Sequence, residues 1–418
     1  MTTGHDDTAE TLDRLIRRER GRIVAGLIAR LGPAHLDLAE DVAQDAVLAA
    51  MASWSHKGLP DNPSAWITKT AQNKAIDRLR RDGRFATGDQ GSDGETVEPP
   101  RGVLSAEIGD ADLQLIVLCC HPALTGPEQV DLILKLVSGF RAVDIATATL
   151  SSAEAVGQRL ARAKRKLREA AGDLAAPSTR FELRARQPII LRAIYLLFTL
   201  GYAPRTGDRL IHNEICREAV RLAETLIEAS PGVPPSDTRA LGALLCFQAA
   251  RLPARADEKG RPIKLEDQDR ELWDHRLIAR GFQYLAEARE NRTPSDYILE
   301  AIIASIYVSA DPLEEKHYHQ LRSAFTVLHL RTQSPIVGLN LAIVIARGGD
   351  PGLARMHIEE LLVLRGLDGY PPAHFAHAEV LQMLREPEAA KAEYAKALAG
   401  DLSAPVRAEL EDRMNLIQ

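Results

Sequence analysis

Aromatic residues are scarce in this chain, 5% of the whole, while Ala, Leu, Arg and Glu are abundant. That composition favours helix over sheet, because straight-chain side chains lose little rotamer freedom in a helix. Cysteines number four. Cys119 and Cys120 are adjacent, a poor geometry for a mutual disulfide, and with Cys216 and Cys246 they form no even framework, which excludes a disulfide-stapled scaffold. No apolar run approaches the roughly 20 residues that span a bilayer, so no membrane is expected as a partner. The opening "MTTGHDDTAE" is polar and acidic, unlike a secretory signal, and a reduced, cytoplasmic protein is the simplest expectation. Glycine-rich phosphate loops, nucleophile elbows and paired-carboxylate motifs are missing as well, so the chain reads as no enzyme and implies no cofactor. "CCHP" lacks the second short-spaced pair that zinc requires, and its cysteines read as small buried hydrophobes. The histidines of "HYH" (His317, His319) and "HFAH" (His374, His377) stand beside no carboxylate or thiol motif and read as exposed helix positions, so no metal is expected.

What is present is helical periodicity over 418 residues, with 45% apolar and 26% charged residues. Length alone suggests roughly two to four domains. Periodicity runs from Thr11 to about Arg84, then breaks at "RFATGDQGSDGETVEPPRG", a stretch too poor in apolar residues to fold, which reads as a flexible linker. A second helical block ends near Ala171. Beyond it, helix follows helix, punctuated by Pro and Gly. Within that region "GGDPGLARMHIEELL" superposes on "LREPEAAKAEYAKAL", placing Pro351 on Pro387 and Ala354 on Ala390. Such a period is that of helix–turn–helix solenoid repeats. The expected fold class is all-α.

Charge is segregated along this chain. The formal net charge is −6, yet Asn62 to Arg84 and Ser151 to Ala171 each carry six cations and two acids, leaving −14 for the rest. Segregated cations on two helices are the electrostatic footprint expected for nucleic acid. In the first helix Ile67, Ala71, Ala75 and Leu79 share one face, leaving Lys69, Asn73, Lys74, Arg78, Arg80 and Arg81 for solvent or DNA. In the second, Val156, Leu160, Ala163 and Leu167 turn inward, and Gln158, Arg159, Arg162, Lys164, Arg165, Lys166 and Arg168 turn outward. It follows a short helix with Val143, Ile145 and Ala146, and Ser151 with Glu154 fits a capping box. Short helix, tight turn and capped cationic helix is a helix-turn-helix layout, whose second helix enters the major groove. Upstream, "LAEDVAQDAVLAAMASW" buries Ala39, Val42, Ala46 and Ala50 and presents Glu40, Asp41, Gln44 and Asp45 on the opposite side. "LEDQDRELWDHRLI" reads as an acidic helix start, and its Glu266, Asp267, Asp269 and Asp274 are long-range complements to the basic helices.

The order acidic helix, loop with Trp66, basic helix, linker and helix-turn-helix resembles an extracytoplasmic-function sigma factor of bacterial RNA polymerase. "AEDVAQDAVLAAMASW" resembles the helix that grips the clamp of the polymerase's largest subunit, which implies polymerase binding by Glu40, Asp41, Gln44 and Asp45. "AWITKTAQNKAIDRLRR" resembles the segment that melts and reads the minus-ten element. "DIATATLSSAEAVGQRLARAKRKLRE" resembles the minus-thirty-five reader, although its small residues "SSAEAVG" depart from the family's usual helix start. "CCHPAL", "IYLLFTLGYAPRTGD" and "ARLPARADEKGRPIKLEDQDRELWD" resemble the subgroup with a long tetratricopeptide-like C-terminal extension. The resemblance implies core RNA polymerase and promoter DNA as partners, with a protein or ligand partner for the extension. It implies a region 2 domain at 8–85, a linker at 86–107, a region 4 domain at 108–172 and the extension at 173–418. The rival reading is a non-sigma helix-turn-helix regulator with a sensing helical-repeat domain. Such a regulator has no use for the acidic helix and strand-melting helix at the start.

Overall fold

The computed structural model describes residues 20–28, 30–87, 110–149, 151–170, 180–204, 207–229, 236–290, 295–364 and 366–417. Helices account for the regular structure of the described residues, which form no strand beyond an isolated bridge between Ala256 and Pro262. The all-α expectation holds. By packing, the chain divides into two compact units, one of residues 1–197 with 228–231 and the other of residues 198–227 with 232–418.

In the first unit, α1 (Leu36–Lys57) and α2 (Pro63–Thr87) lie against each other. Ala39, Val42, Ala46 and Ala50 of α1 and Ile67, Ala71 and Ala75 of α2 are buried, as the periodicity predicts. The small side chains let the helices approach closely, since interaxial distance follows side-chain size at the contact. Trp54 and Trp66 close the end of the pair edge to face, with ring centroids 5.6 Å apart. Beyond Thr87, the linker expected at 86–107 lies outside the described residues.

Next, α3 (Ala111–Cys119) is buried nearly all round, including Cys119, and Cys120 is buried just beyond it. α4 (Gly126–Ser138) begins where the Glu128 carboxylate accepts the Thr125 backbone N–H at 2.8 Å. It stops at Gly139, whose φ of +70° only glycine adopts without strain. A short α5 (Ala142–Ala148) and a long α6 (Ala153–Glu169) complete the helix-turn-helix. Val156, Leu160, Ala163 and Leu167 of α6 are buried, as expected. The cap differs from the expected one by a residue. Ser152 is the N-cap and accepts the Ala155 N–H at 3.1 Å. Ser151 is already used: its N–H closes α5 on Ala146 O at 2.9 Å, and its hydroxyl accepts from Arg159 Nη1 at 3.0 Å. α7 (Arg180–Tyr202) crosses the unit boundary. On the first side of it, Arg186 donates to Val117 O at 3.1 Å.

The second unit continues with α8 (Asn213–Ala229), α9 (Ser236–Ala250), α10 (His275–Arg289), α11 (Asp296–Ser309), α12 (Glu315–Thr332), α13 (Pro335–Arg347), α14 (Pro351–Leu364), α15 (Pro371–Met383), α16 (Pro387–Ala399) and α17 (Ala404–Asn415). Pro351 and Pro387 each start a helix, where a missing N–H costs nothing. Ala354 and Ala390, superposed by the sequence repeat, are both fully buried. Leu321, Phe325, Leu339, Ala342, Ala354 and Ile358 share one continuous core across α12, α13 and α14. The acidic stretch before α10 is not a helix start. It forms two 3-10 turns, Leu265–Asp267 and Arg270–Leu272, around buried Trp273, whose ring lies under the Arg270 guanidinium at 4.5 Å. Only Asp274 caps the helix that follows.

Candidate nucleic-acid interface

The two basic helices are in different electrostatic situations. On α2, Lys69, Asn73, Arg78, Arg80 and Arg81 are exposed and Lys74 is half-buried. Among the described residues, Lys69, Lys74, Arg78, Arg80 and Arg81 have no ion-pair partner; Arg81 Nε donates only to the Asp77 carbonyl at 3.3 Å. An unpaired row of cations on a helix face is a surface that attracts polyanions at long range.

On α6 the cations are mostly engaged. Arg159 Nε donates to Asp131 Oδ2 at 2.5 Å, and Asp131 is fully buried. Burial pushes the Asp131 carboxyl up, and Arg159 offsets that only in part, so its pKa lies above the ordinary aspartate value. Lys166 Nζ lies 2.8 Å from Glu128 Oε2, and Arg162 Nε lies 3.7 Å from Glu128 Oε1. Burial pushes Glu128 up, but the hydrogen bonds from Lys166 and Thr125 outweigh it and hold its pKa below the usual glutamate value. Lys164 Nζ is 3.1 Å from Asp37 Oδ1 and also pairs with Glu40; Arg168 Nη1 is 2.6 Å from Asp37 Oδ2. Gln158, Arg162 and Arg165 remain exposed. Gln158 Nε2 reaches Glu154 Oε1 at 3.3 Å, and Arg165 Nε lies 3.9 Å from Glu169.

The acidic face of α1 is split. Asp41 and Gln44 are exposed and Asp45 half-exposed, whereas Glu40 is only 7% exposed. Leu48 and Met51, 56% and 48% exposed, continue the face that Asp41, Gln44 and Asp45 begin. The sequence carried a sign of this: Leu48 falls at helical spacing from Gln44 and Asp41, on the polar side.

Other singled-out residues lie elsewhere. The four cysteines are buried; burial pushes Cys120, Cys216 and Cys246 up to about 12 and Cys119 well above its ordinary range, so none is a ready nucleophile. His319 is exposed and His317 half-buried, its Nδ1 accepting the Glu314 N–H at 2.9 Å. His374 and His377, expected at the surface, are instead buried. His374 Nδ1 sits 2.6 Å from Glu393 Oε2 and its Nε2 2.7 Å from Asp368 O, so α16 supplies a carboxylate that the spacing on α15 could not reveal. Glu266 pairs with Arg347 at 3.1 Å, and Asp269 and Asp274 accept backbone N–H groups at local turns. These acids have neighbours of their own. Among the described residues no group of His, Cys, Asp and Glu is arranged to hold a metal ion, and no helix is long and apolar enough to cross a membrane.

Residues 15–85, which include α1 and most of α2, match sigma-70 region 2. Residues 186–289 match a family of unknown function, DUF6596. No solved structure matches the chain. An uncharacterized protein of Rhizobium meliloti (strain 1021) is 31% identical over 380 residues, covering 87% of this chain and 86% of its own length. The chain therefore belongs to one family with that Rhizobium meliloti protein, and its match to sigma-70 region 2 supports a sigma factor with a role in transcription initiation.

Proposed function

We propose that this chain is a cytoplasmic, non-enzymatic sigma factor of the extracytoplasmic-function type, with a tetratricopeptide-like C-terminal extension. It binds core RNA polymerase, recognises a two-part promoter and directs initiation. One observation carries the reading: the sigma-70 region 2 match covers most of α2, where Lys69, Lys74, Arg78, Arg80 and Arg81 have no acid partner among the described residues. In this reading α2 meets the minus-ten strand. Gln158, Arg162, Lys164 and Arg165 of α6 serve the minus-thirty-five duplex, and Arg159, expected among them, is tied to buried Asp131 and positions that helix. Glu40, Asp41, Gln44 and Asp45 of α1 meet the polymerase clamp, and exposed Leu48 and Met51 give that face an apolar centre. Apolar contacts of this kind supply affinity, while rim charges steer the encounter. The division at 8–85, 86–107, 108–172 and 173–418 belongs to the same proposal, as does a partner for the extension.

The test is co-purification. Asp41→Lys with Asp45→Lys abolishes retention on immobilised core polymerase while leaving helical content unchanged, because exposed charges on a helix rarely matter to folding. Undiminished retention of that double variant removes α1 from the interface.

A further inference from the structure

Between α9 and α10 the chain makes a tight turn that reaches the last helices of the second unit. Asp257 Oδ1 accepts the backbone N–H groups of Lys259 and Arg261 at 2.9 and 2.7 Å, Gly260 takes a φ of +76°, and Ala256 bridges Pro262. Arg261 then pairs with Asp412 of α17, and Lys264 Nζ lies 2.9 Å from Glu379 Oε1 of α15. Between this turn and the two helices lies a cavity of two adjoining lobes, about 210 and 440 Å³. The larger alone has the size of a small-molecule site. The smaller has an apolar wall of Pro371, Phe375, Leu402, Val406 and Leu410.

Lys264, Arg347 and Arg413 also line the smaller lobe. Arg413 lies over the Phe375 ring at 5.1 Å and is tied on two sides, its Nη1 2.6 Å from Glu379 Oε1 and its Nε 2.6 Å from Glu409 Oε1. Arg347 Nη1 lies 3.1 Å from Glu266 Oε2. Burial pushes Glu266 up, but a backbone hydrogen bond and Arg347 outweigh it and hold its pKa below the usual glutamate value, so it is an anion at neutral pH. Within this cluster three cations meet three acids, and no net charge is left to attract an ion. One contact stays open. Arg347 Nη2 and Glu379 Oε2 stand 4.0 Å apart, too far for a hydrogen bond. An oxygen about 2.8 Å from each would bridge them, provided that it accepts from a guanidinium and donates to a carboxylate. A hydroxyl does both. A ligand carboxylate would face Glu379 as a like charge, and an ammonium would face Arg347.

We propose that this cavity binds a small, uncharged amphipathic alcohol, its apolar body on Phe375, Val406 and Leu410 and its hydroxyl bridging Arg347 and Glu379. Such a ligand is the extension's partner in the functional reading above, on which its regulatory meaning rests, while binding itself involves neither polymerase nor DNA. The turn belongs to residues 186–289, and α15 and α17 lie beyond them. An occupied cavity therefore fastens the two stretches together and stabilises the fold by mass action.

Saturation-transfer NMR on the full-length chain tests this with three probes of similar size: benzyl alcohol, benzoate and benzylamine. Benzyl alcohol binds at about millimolar concentration, as befits a fragment. It binds about ten-fold or more tighter than either ion, the size of one hydrogen bond to a charged group. Val406→Trp and Leu402→Phe fill the apolar lobe from α17 and from the segment before it, at half-buried positions. Each weakens benzyl alcohol about ten-fold or more, as loss of the apolar seat demands. Leu330→Trp, at an exposed site on α12, leaves it unchanged. Melting temperatures identify a filled variant that has lost its fold, and the other then carries the test. Equal or tighter binding of benzoate or benzylamine overturns the uncharged class. Benzyl alcohol binding that survives in both filled variants overturns the site, and none up to about tens of millimolar overturns both. The sigma factor reading stands or falls separately, by co-purification and transcription.

Discussion

Arg159 and Arg162 lie on the same helix face three residues apart, yet their loss should be read in different assays. Arg159 neutralises Asp131, which is fully buried, so Arg159→Ala strands a carboxylate in the core. We expect it to lower stability by about 2–3 kcal/mol, toward the low end for a broken buried pair because the carboxyl can take up a proton. Arg162 is 47% exposed in its side chain and only loosely placed near Glu128. Arg162→Ala should leave the denaturation midpoint nearly unchanged and flatten the log-affinity versus log-salt slope for duplex by about 0.9. A destabilised Arg162→Ala and an innocuous Arg159→Ala would reverse the assignment. Two carboxylates give opposite pH signatures. Glu128, with its pKa held down, contributes stability that is fully present above its unfolded value near about 4.3 and is lost as pH falls through the folded value. Asp131, pushed up, contributes stability that fades as pH climbs from its unfolded value through the folded one. Melting temperatures across acid pH should therefore fall less steeply toward low pH in Glu128→Gln than in the parent chain, and an unchanged acid limb would contradict the Glu128 pairing.

At the scale of single helices, the sequence was most legible where one periodicity decided the outcome. The stripe Val156, Leu160, Ala163 and Leu167 is buried in full because a 3.6-residue period leaves α6 no other apolar face. The start of the same helix was less legible. Two adjacent serines both suit an N-cap, and the choice between them is made by Ala146 and Arg159, which occupy Ser151. Ser152→Ala should accordingly cost about 1 kcal/mol as a lost cap. Ser151→Ala should act through Arg159 and lose its effect once Arg159→Ala is present, which a double-mutant cycle measures. Additive losses would mean that Ser151 does not serve Arg159. The histidines of α15 were misread for a related reason. A spacing of i, i+3 states that two side chains share a face, but not whether that face meets water or a neighbouring helix, and Glu393 arrives from α16.

For the whole molecule, charge segregation was visible in the sequence and its consequences were not. In the sequence, the acids at Glu266 to Asp274 stand out as complements to the basic helices. The acids that meet α6 are Asp37, Glu40, Glu128 and Asp131, scattered singly along α1 and α4. Periodicity reports a helix's face and not its neighbour, so such pairing is written only in the tertiary arrangement. The same arrangement guides how the extension is to be removed. Arg186 donates to the Val117 carbonyl, so a chain cut at Asp173 would damage the first unit, whereas a cut after Leu197 removes only residues 228–231 from it. We expect the shorter chain to lose transcription, the result of an array that scaffolds the first unit. Constitutive transcription would identify the array as a mask. The central claim is met most directly by run-off transcription from a genomic library with purified core polymerase and the full-length chain. Discrete start sites that require the chain, and vanish with Asp41→Lys and Asp45→Lys, are the predicted result. Transcripts no different from those of core polymerase alone would contradict it.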